Sequence, residues 1–305
     1  MKAVYIEKFG GPEVLRCGDQ PDPVPAAGEV VVDVHAASVN GADWKVRVGD
    51  YKQTKFPLGL GRDFSGVVAA AGDGADLKAG DPVFGVLDAG QEGAYAEKLA
   101  VKAAIIAKKP DALSHENAAA LALTGLTALV SVEDTLKLQR GETILIQGGA
   151  GGVASFAIQL AKHIGARVIT TTSAGNVDYV RGLGADEVID YGKQDFTKAV
   201  SGVDAVFETV GGDVAMKSFA VLKPGGRAAF IASGGQAPKP PRDDVKSLRP
   251  AVGRTRRHME RVAQLYLSGA VQPPEIKLYR LSDVAEAQRV SEGRHFRGKL
   301  VFKVR

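Results

Sequence analysis

The spacing of apolar and polar positions changes rhythm along this chain. From Met1 to about Asp111, short apolar runs at Lys2 to Ile6, Glu29 to Val39, Phe64 to Ala71, Pro82 to Val86 and Ala94 to Val101 are separated by Gly10-Gly11-Pro12, Gly72-Asp73-Gly74 and Gly80-Asp81-Pro82. Turn signals so placed predict a small barrel-like or sandwich domain, interrupted from Asn40 to Tyr51 by a short helix and loop. Ser114 is a plausible helix cap with Glu116 in the first turn, opening a helical stretch that breaks at Thr124-Gly125 and runs to about Leu138. Strands then alternate with helices: strands near 143–147, 167–171, 187–190, 205–208 and 226–232, helices near 153–164, 177–183 and 213–222. That alternation predicts a doubly wound parallel sheet, with Ser247 to Val252 as a sixth, edge strand. A helix from about Arg257 to Leu267 follows, and then a strand from Ile276 to Tyr279, a helix capped by Ser282 and a last strand, Lys299 to Lys303, return the chain to its first domain.

The most informative stretch is GETILIQGGAGGVASFAIQLAKHIGARVITTT, Gly141 to Thr172. Thr143 to Gln147 is too short for a helix and reads as a buried strand, whereas Val153, Phe156, Ala157, Leu160, Ala161 and Ile164 recur at helical spacing until Gly165. Between them Gly149, Gly151 and Ala154 fit G-x-G-x-x-G/A, in the strand, turn and helix context that gives the pattern meaning. One glycine makes the turn, the next admits a diphosphate to the backbone, and the last small residue lets helix and strand pack. Ala150, Gly151, Gly152 and Val153 then offer amides at a positive helix end, a site for a dinucleotide's phosphates.

Composition narrows the class. With 305 residues the chain is long enough for two domains, and 45% hydrophobic and 24% charged residues are those of a soluble globular protein. No apolar run is expected to reach the roughly 18 residues a membrane helix needs and the first residues lack a signal-peptide core, so no membrane partner is expected. The single cysteine, Cys17, permits no intrachain disulfide and suits a cytoplasmic protein. A net charge of +4 spread over the chain argues against a nucleic-acid partner. The dense cluster Arg254, Arg256, Arg257, His258 reads as capping or decorating a solvated helix face.

SVNGADWKVRVGDY (38–51), GRDFSGVV (61–68), GAYAEKLAV (93–101), TGLTAL (124–129), the glycine turn with QLAK (159–162), LGADEVIDY (183–191) and RGKLVFKV (297–304) lie in one order from end to end. With these segments the chain resembles the zinc-independent, zeta-crystallin-like quinone oxidoreductases of the medium-chain dehydrogenase/reductase superfamily. The resemblance implies an α/β protein: a GroES-like β-barrel domain over 1–113, completed by 274–305, and a doubly wound Rossmann nucleotide-binding domain over 114–273. It also implies a homodimer. The chain departs from the family at Ala154, where Gly is usual, and at Asn176, where a lysine often helps hold the cofactor's extra phosphate.

NAD sites carry an acid about 20 residues beyond the glycine turn. Here Thr171-Thr172-Ser173-Ala174 stand there, with no carboxylate to repel a 2′-phosphate. In the family the equivalents of Ser173 and Tyr191 contact that phosphate, so NADPH is the expected cofactor. The resemblance places Asn40 beside the nicotinamide and Thr127 along its pocket. Val210, Ile231, Ala232 and Ser233 follow the fourth and fifth strands, at the edge where ligands of such sheets bind, and Lys299 beside Gly298 is a further contact candidate. Zinc dehydrogenases of the superfamily use a cysteine and a histidine where this chain has Asn40 and Arg62, which excludes the usual metal chemistry.

A hydride acceptor without a metal must be activated by conjugation and by hydrogen bonds, as quinones and α,β-unsaturated carbonyls are. Asn40, Lys45 and Tyr51 are the candidate catalytic residues. Tyr51 would donate a hydrogen bond or proton, and Lys45 would stabilise an enolate or hydroquinone anion. Asp43 and Arg47 are expected to form an i,i+4 ion pair bracing the short helix, and Arg62-Asp63 a paired structural unit. Two other readings stay open: a 2-alkenal or enoyl double-bond reductase, and an NADPH-binding protein with a structural, sensing or RNA-associated role.

Overall fold

The computed structural model describes residues 1–51 and 55–305, and they form two compact units. The first comprises 1–123, 253–267 and 273–305, the second 124–252 and 268–272.

In chain order the first unit contains strands β1 (Lys2–Ile6), β2 (Arg16–Asp19) and β3 (Glu29–Val39), helix α1 (Gly41–Val48), then β4 (Leu58–Gly59), β5 (Asp63–Ala71), β6 (Pro82–Val86), β7 (Lys98–Lys102) and β8 (Ala107–Lys108). Strand β3 is its centre. One edge pairs with β5 over Val30–Ser38, while the other meets β7 over Glu29–Asp33. With neighbours on both sides and faces, β3 carries the near-continuous apolar run EVVVDVHAASV rather than a polar alternation. Strands β2, β1 and β4 make a separate three-stranded antiparallel sheet. The residues flanking α1 explain its bounds. Asn40 precedes it with the Asp43 carboxylate accepting from its backbone N–H at 2.8 Å, and Gly49 closes it at φ +93°.

Helix α2 (His115–Leu129) starts where Ser114 Oγ accepts from Asn117 N at 3.1 Å, as its cap position requires. The expected break at Thr124-Gly125 is absent: α2 passes through both residues and continues as a π-helical stretch over Val130–Thr135. A helical glycine costs only about 1 kcal/mol, which burial of Ala118–Ala120, Leu121 and Leu126 outweighs. The resulting 21 residues are long and apolar enough to cross a membrane, but 72% of the apolar window is buried inside the fold.

The second unit continues with β9 (Thr143–Ile146), α3 (Gly152–Ile164), β10 (Arg167–Thr172), α4 (Val177–Gly182), β11 (Glu187–Asp190), α5 (Phe196–Ala199), β12 (Val203–Glu208), α6 (Asp213–Lys217), β13 (Leu222–Phe230) and β14 (Lys246–Leu248). They form one all-parallel sheet in the order β11-β10-β9-β12-β13-β14, the doubly wound topology. The sixth strand occupies the expected edge but ends at Leu248, before Pro250. Leu145, Ile169, Val206, Phe219 and Phe230 are buried in this unit's core.

Helix α7 (Arg256–Leu267), strand β15 (Ile276–Arg280), helix α8 (Val284–Gly293) and β16 (Lys299–Lys303) belong to the first unit, where β16 pairs with Ala36–Val39 of β3 and extends the large sheet to seven strands. Phe302 packs edge-on against Tyr95 with centroids 4.8 Å apart. Two expectations for this segment fail. Ser282 does not cap α8, because a 3-10 turn over Leu281–Asp283 intervenes. Arg254 and Arg256 do not decorate a solvated face. Arg254 Nε donates to Leu87 O at 3.1 Å, while Arg256 grips Asp76 and the carbonyls of Ala103 and Ile106. Guanidinium groups with several donors can bond to backbone carbonyls of distant segments, and a charge cluster in sequence does not reveal them.

Candidate active site

In the second unit the loops leaving the C-terminal ends of the parallel strands converge on the glycine turn. Gly148 takes φ +71°, a left-handed conformation that favours glycine. Gly149 is required by space instead: a Cβ there would lie 2.3 Å from Thr170 Oγ1, a hydroxyl fixed by its bond to Ile146 O at 2.7 Å. Gly151 differs again, since a Cβ would meet only Gly148 O at 3.4 Å. Its side faces room rather than protein, as a diphosphate cradle needs. The helix beyond makes its first i,i−4 bond from Ser155 N to Gly151 O at 2.8 Å, leaving the amides of Gly152, Val153 and Ala154 ahead of the ladder. Ala150 is buried, Gly152 and Val153 half-buried, and Ala154 packs at 1% exposure where the family prefers Gly.

At the end of β10, Thr171 Oγ1 donates to Gln147 Oε1 at 2.6 Å and accepts from Gly148 N at 3.1 Å, so this hydroxyl serves the turn. Thr172 is buried, while Ser173 and Asn176 are half-buried and joined by an Asn176 Nδ2 to Ser173 Oγ bond of 3.0 Å. Tyr191 is 58% exposed and its N–H donates to Thr172 O at 3.1 Å, which brings it beside that pair. Asp190 stands in register with Thr172, but its carboxylate accepts from Gly192 N at 3.0 Å. Val210 is exposed next to the turn, 3.1 Å from the Cβ that Gly148 lacks. Ile231, Ala232 and Ser233 are half-buried beyond β13, with Ile231 N bonded to Glu208 O at 3.1 Å. Thr127 is half-buried on α2, its carbonyl accepting from Ser131 Oγ at 2.7 Å.

Sequence reasoning missed Glu208. Its carboxylate is buried at the end of β12, one oxygen accepting from Val210 N at 2.7 Å and Gly211 N at 2.8 Å, the other without a partner among the described residues. Burial raises its pKa against those two amides.

The first unit holds a second polar cluster. Asn40 Nδ2 donates to Asp63 Oδ1 at 2.8 Å and to Ser38 O at 3.2 Å, and its Oδ1 accepts from Lys299 Nζ at 2.6 Å. Lys299 is 4% exposed, with a further bond to Val39 O at 2.8 Å, so its ammonium turns inward. The fully buried Asp63 also accepts from Ser38 Oγ at 2.7 Å. Burial raises the Asp63 pKa and lowers that of Lys299, each opposed by the other's charge. The Asn40 amide is therefore clamped from both ends.

Asp43 and Arg47 do not pair. The N-terminal position of Asp43 in α1 turns its carboxylate to the Asn40 backbone N–H and the Tyr95 hydroxyl. Arg47, fully buried, goes to Gly10 O at 3.1 Å, Gln288 at 2.8 Å and Glu292 at 2.9 Å. Arg62 and Asp63 do not pair either, because successive residues of an extended chain face opposite ways. Arg62 Nε donates to Glu92 at 2.7 Å, and its guanidinium lies 5.1 Å from the ring centre of the half-exposed Tyr51. Lys45 Nζ lies 5.7 Å from the Trp44 ring centre. Burial pushes Asp43 up to about 6 and Glu92 up to about 7, with Arg62 opposing both. The set does not fit zinc: Arg62 offers no lone pair, both ends of the Asn40 amide are engaged, and no described cluster of three His, Cys, Asp or Glu side chains could share an ion.

A β unit carrying this cluster and a doubly wound unit with a glycine cradle define the class of nucleotide-dependent dehydrogenases and reductases. An alcohol dehydrogenase GroES-like domain model matches residues 26–111, and a zinc-binding dehydrogenase model matches 183–302. The quinone oxidoreductase structure from Coxiella burnetii superposes with a TM-score of 0.91 at 34% identity, covering 100% of this chain and 99% of that one. The Escherichia coli quinone oxidoreductase complexed with NADPH gives 0.91 at 28%, covering 100% of both. The 2-methylene-furan-3-one reductase of Solanum lycopersicum is 37% identical over 76% of this chain, a match spanning 62% of that enzyme's length. The chain belongs to the quinone oxidoreductase family of the medium-chain dehydrogenase/reductase superfamily.

Proposed function

We propose that the chain is an NADPH-dependent oxidoreductase that delivers hydride to quinones or other activated conjugated carbonyls without a metal. The observation that carries this reading is the hydroxyl-bearing end of β10 at Ser173, Asn176 and Tyr191, where the neighbouring Asp190 carboxylate is engaged by Gly192 N, beside the cradle left open at Gly151. When bound, NADPH supplies the hydride. The amides that open α3 hold its diphosphate, and Ser173, Asn176 and Tyr191 receive the 2′-phosphate. The clamped Asn40 amide presents a fixed dipole at the position the family sets beside the nicotinamide, and Tyr51 and Lys45 are the acceptor-side donors. Arg62 and Asn40 in place of metal ligands support a reaction driven by the acceptor's own conjugation. A homodimer in the cytoplasm completes the reading, supported by the family and by the lone Cys17.

The test mixes the protein with NADPH and a panel of quinones, enals and enones and follows cofactor absorbance. Oxidation with at least one acceptor is expected. Measurable NADPH binding with no oxidation by any acceptor would leave a cofactor-binding protein in its place.

A further inference from the structure

We propose that Arg62 is a further donor to the oxyanion of the acceptor, beside Tyr51 and Lys45, and that this cation makes the chain a reductase of enones as well as of quinones. The inference rests on the function proposed above.

The guanidinium is built as a preorganised donor. Its Nε is locked on Glu92 at 2.7 Å, and Glu92 is itself only 2% exposed. Tyr51 lies against the guanidinium at 5.1 Å, and 16% of the Arg62 side chain stays open to solvent. Among the described residues neither Nη nitrogen has a hydrogen-bond acceptor. A buried ion pair kept only as a brace is a poor stabiliser, and hydrophobic residues often serve as well. This one also leaves Glu92 Oε2 without a partner, so it is incomplete as a brace. Donors held in place and left unspent are what an oxyanion site requires.

The surroundings favour an anion. Arg254, anchored on Leu87 O, adds its positive charge near both Arg62 and Glu92. Burial pushes the opposing carboxylates up, Asp43 to about 6 and Glu92 to about 7, so the negative charge of Glu92 is partly lost at neutral pH. Arg62 is also one residue from Asp63, which holds Asn40 at 2.8 Å. One short stretch, Arg62-Asp63, thereby fixes both the amide assigned to the nicotinamide side and the cation assigned to the acceptor.

In the step, an enone gains hydride at its β-carbon and its C=C electron pair shifts through the conjugated system onto the carbonyl oxygen. The Nη hydrogens of Arg62 receive that oxygen as it becomes an enolate. Water then gives a proton to the α-carbon, so the enone is reduced to the saturated ketone as NADPH becomes NADP+. A quinone yields a hydroquinone anion, a far weaker base that needs less help.

The experiment compares wild type with Arg62→Lys and with the double variant Arg62→Gln, Glu92→Gln, which removes both charges of the pair together. Without cofactor, titration of 4-nitrophenol bound to wild type should favour the phenolate by about tenfold, one pKa unit, and the double variant should abolish that preference. With NADPH, the double variant should lose about 100-fold in kcat/KM toward an aliphatic enone, the scale of one oxyanion donor, but less than about tenfold toward a benzoquinone. Arg62→Lys should recover part of the enone loss. Equal nitrophenolate binding by wild type and double variant, or equal losses with both acceptors, overturns the role of Arg62. If wild type reduces no acceptor, the functional reading fails first, and the nitrophenol titration still decides whether Arg62 binds an oxyanion.

Discussion

Lys299→Met tests the buried clamp on Asn40. The substitution removes an ammonium with bonds to Val39 O and Asn40 Oδ1 and leaves Asp63 fully buried without its cation. Leaving a buried charge without its compensating charge costs up to about 3–5 kcal/mol. Asp63 keeps Ser38 Oγ at 2.7 Å, Asn40 Nδ2 at 2.8 Å and Leu123 N at 3.4 Å as donors. The lower end, about 3 kcal/mol, is therefore expected, a fall of roughly 6–12 °C in the first unit's Tm. The penalty must also depend on pH. Burial already raises the Asp63 pKa above 3.8, and losing Lys299 raises it further. The folded variant then holds a proton that the unfolded chain releases, so its stability falls as pH rises through that window. Denaturant melts at pH 5 and pH 8, followed by tryptophan fluorescence, should show the smaller penalty at pH 5, and adding Asp63→Asn should restore part of the loss at pH 8. A penalty independent of pH, or a variant as stable as wild type, would refute the role of Lys299 as counter-charge to Asp63.

Gly149→Ala would place a Cβ 2.3 Å from Thr170 Oγ1 and should cost about 1–3 kcal/mol by melting, whereas Gly151→Ala, with only Gly148 O at 3.4 Å, should leave Tm nearly unchanged while weakening NADPH binding more than tenfold. Ser173→Asp sets a carboxylate where the 2′-phosphate is assigned, and KM for NADPH should rise at least tenfold while that for NADH does not; parallel changes would remove Ser173 from the site. Burial holds His115 at about 4, against 6.5 for a free histidine, in a stack with His35 at 4.3 Å. Its folded pKa is depressed, so the unfolded chain takes the proton first and stability falls as pH drops from 6.5 toward 4. His115→Asn should flatten that slope in acid melts.

The fold was legible wherever periodicity and glycine chemistry agree. The strand, turn and helix from Thr143 to Ile164 carry a buried apolar strand, a left-handed Gly148 and a helical stripe, three independent signals of one unit. Strands β2 and β4 escaped notice because four and two residues leave no alternation to count, and α5, with four, leaves no helical stripe. The break expected in α2 shows local propensity yielding to burial, which sequence cannot weigh without knowing what packs against Gly125.

Side-chain partners were less legible, for a reason specific to this site. Asp43 and Arg47 have helical ion-pair spacing, and Arg62 and Asp63 are adjacent, yet each of the four finds a side-chain partner far along the chain: Tyr95, Glu292, Glu92 and Asn40. A buried charge must be met by whatever donor or acceptor the sheet brings to it, so its partner is set by strand register rather than by sequence distance. Lys299 reaches Asn40 only because β16 pairs Leu300 with Val39. A one-residue slip in that pairing would turn the lysine to the other face, release the amide and leave Asp63 without its cation, so the register of β16 on β3 is itself a condition of the site.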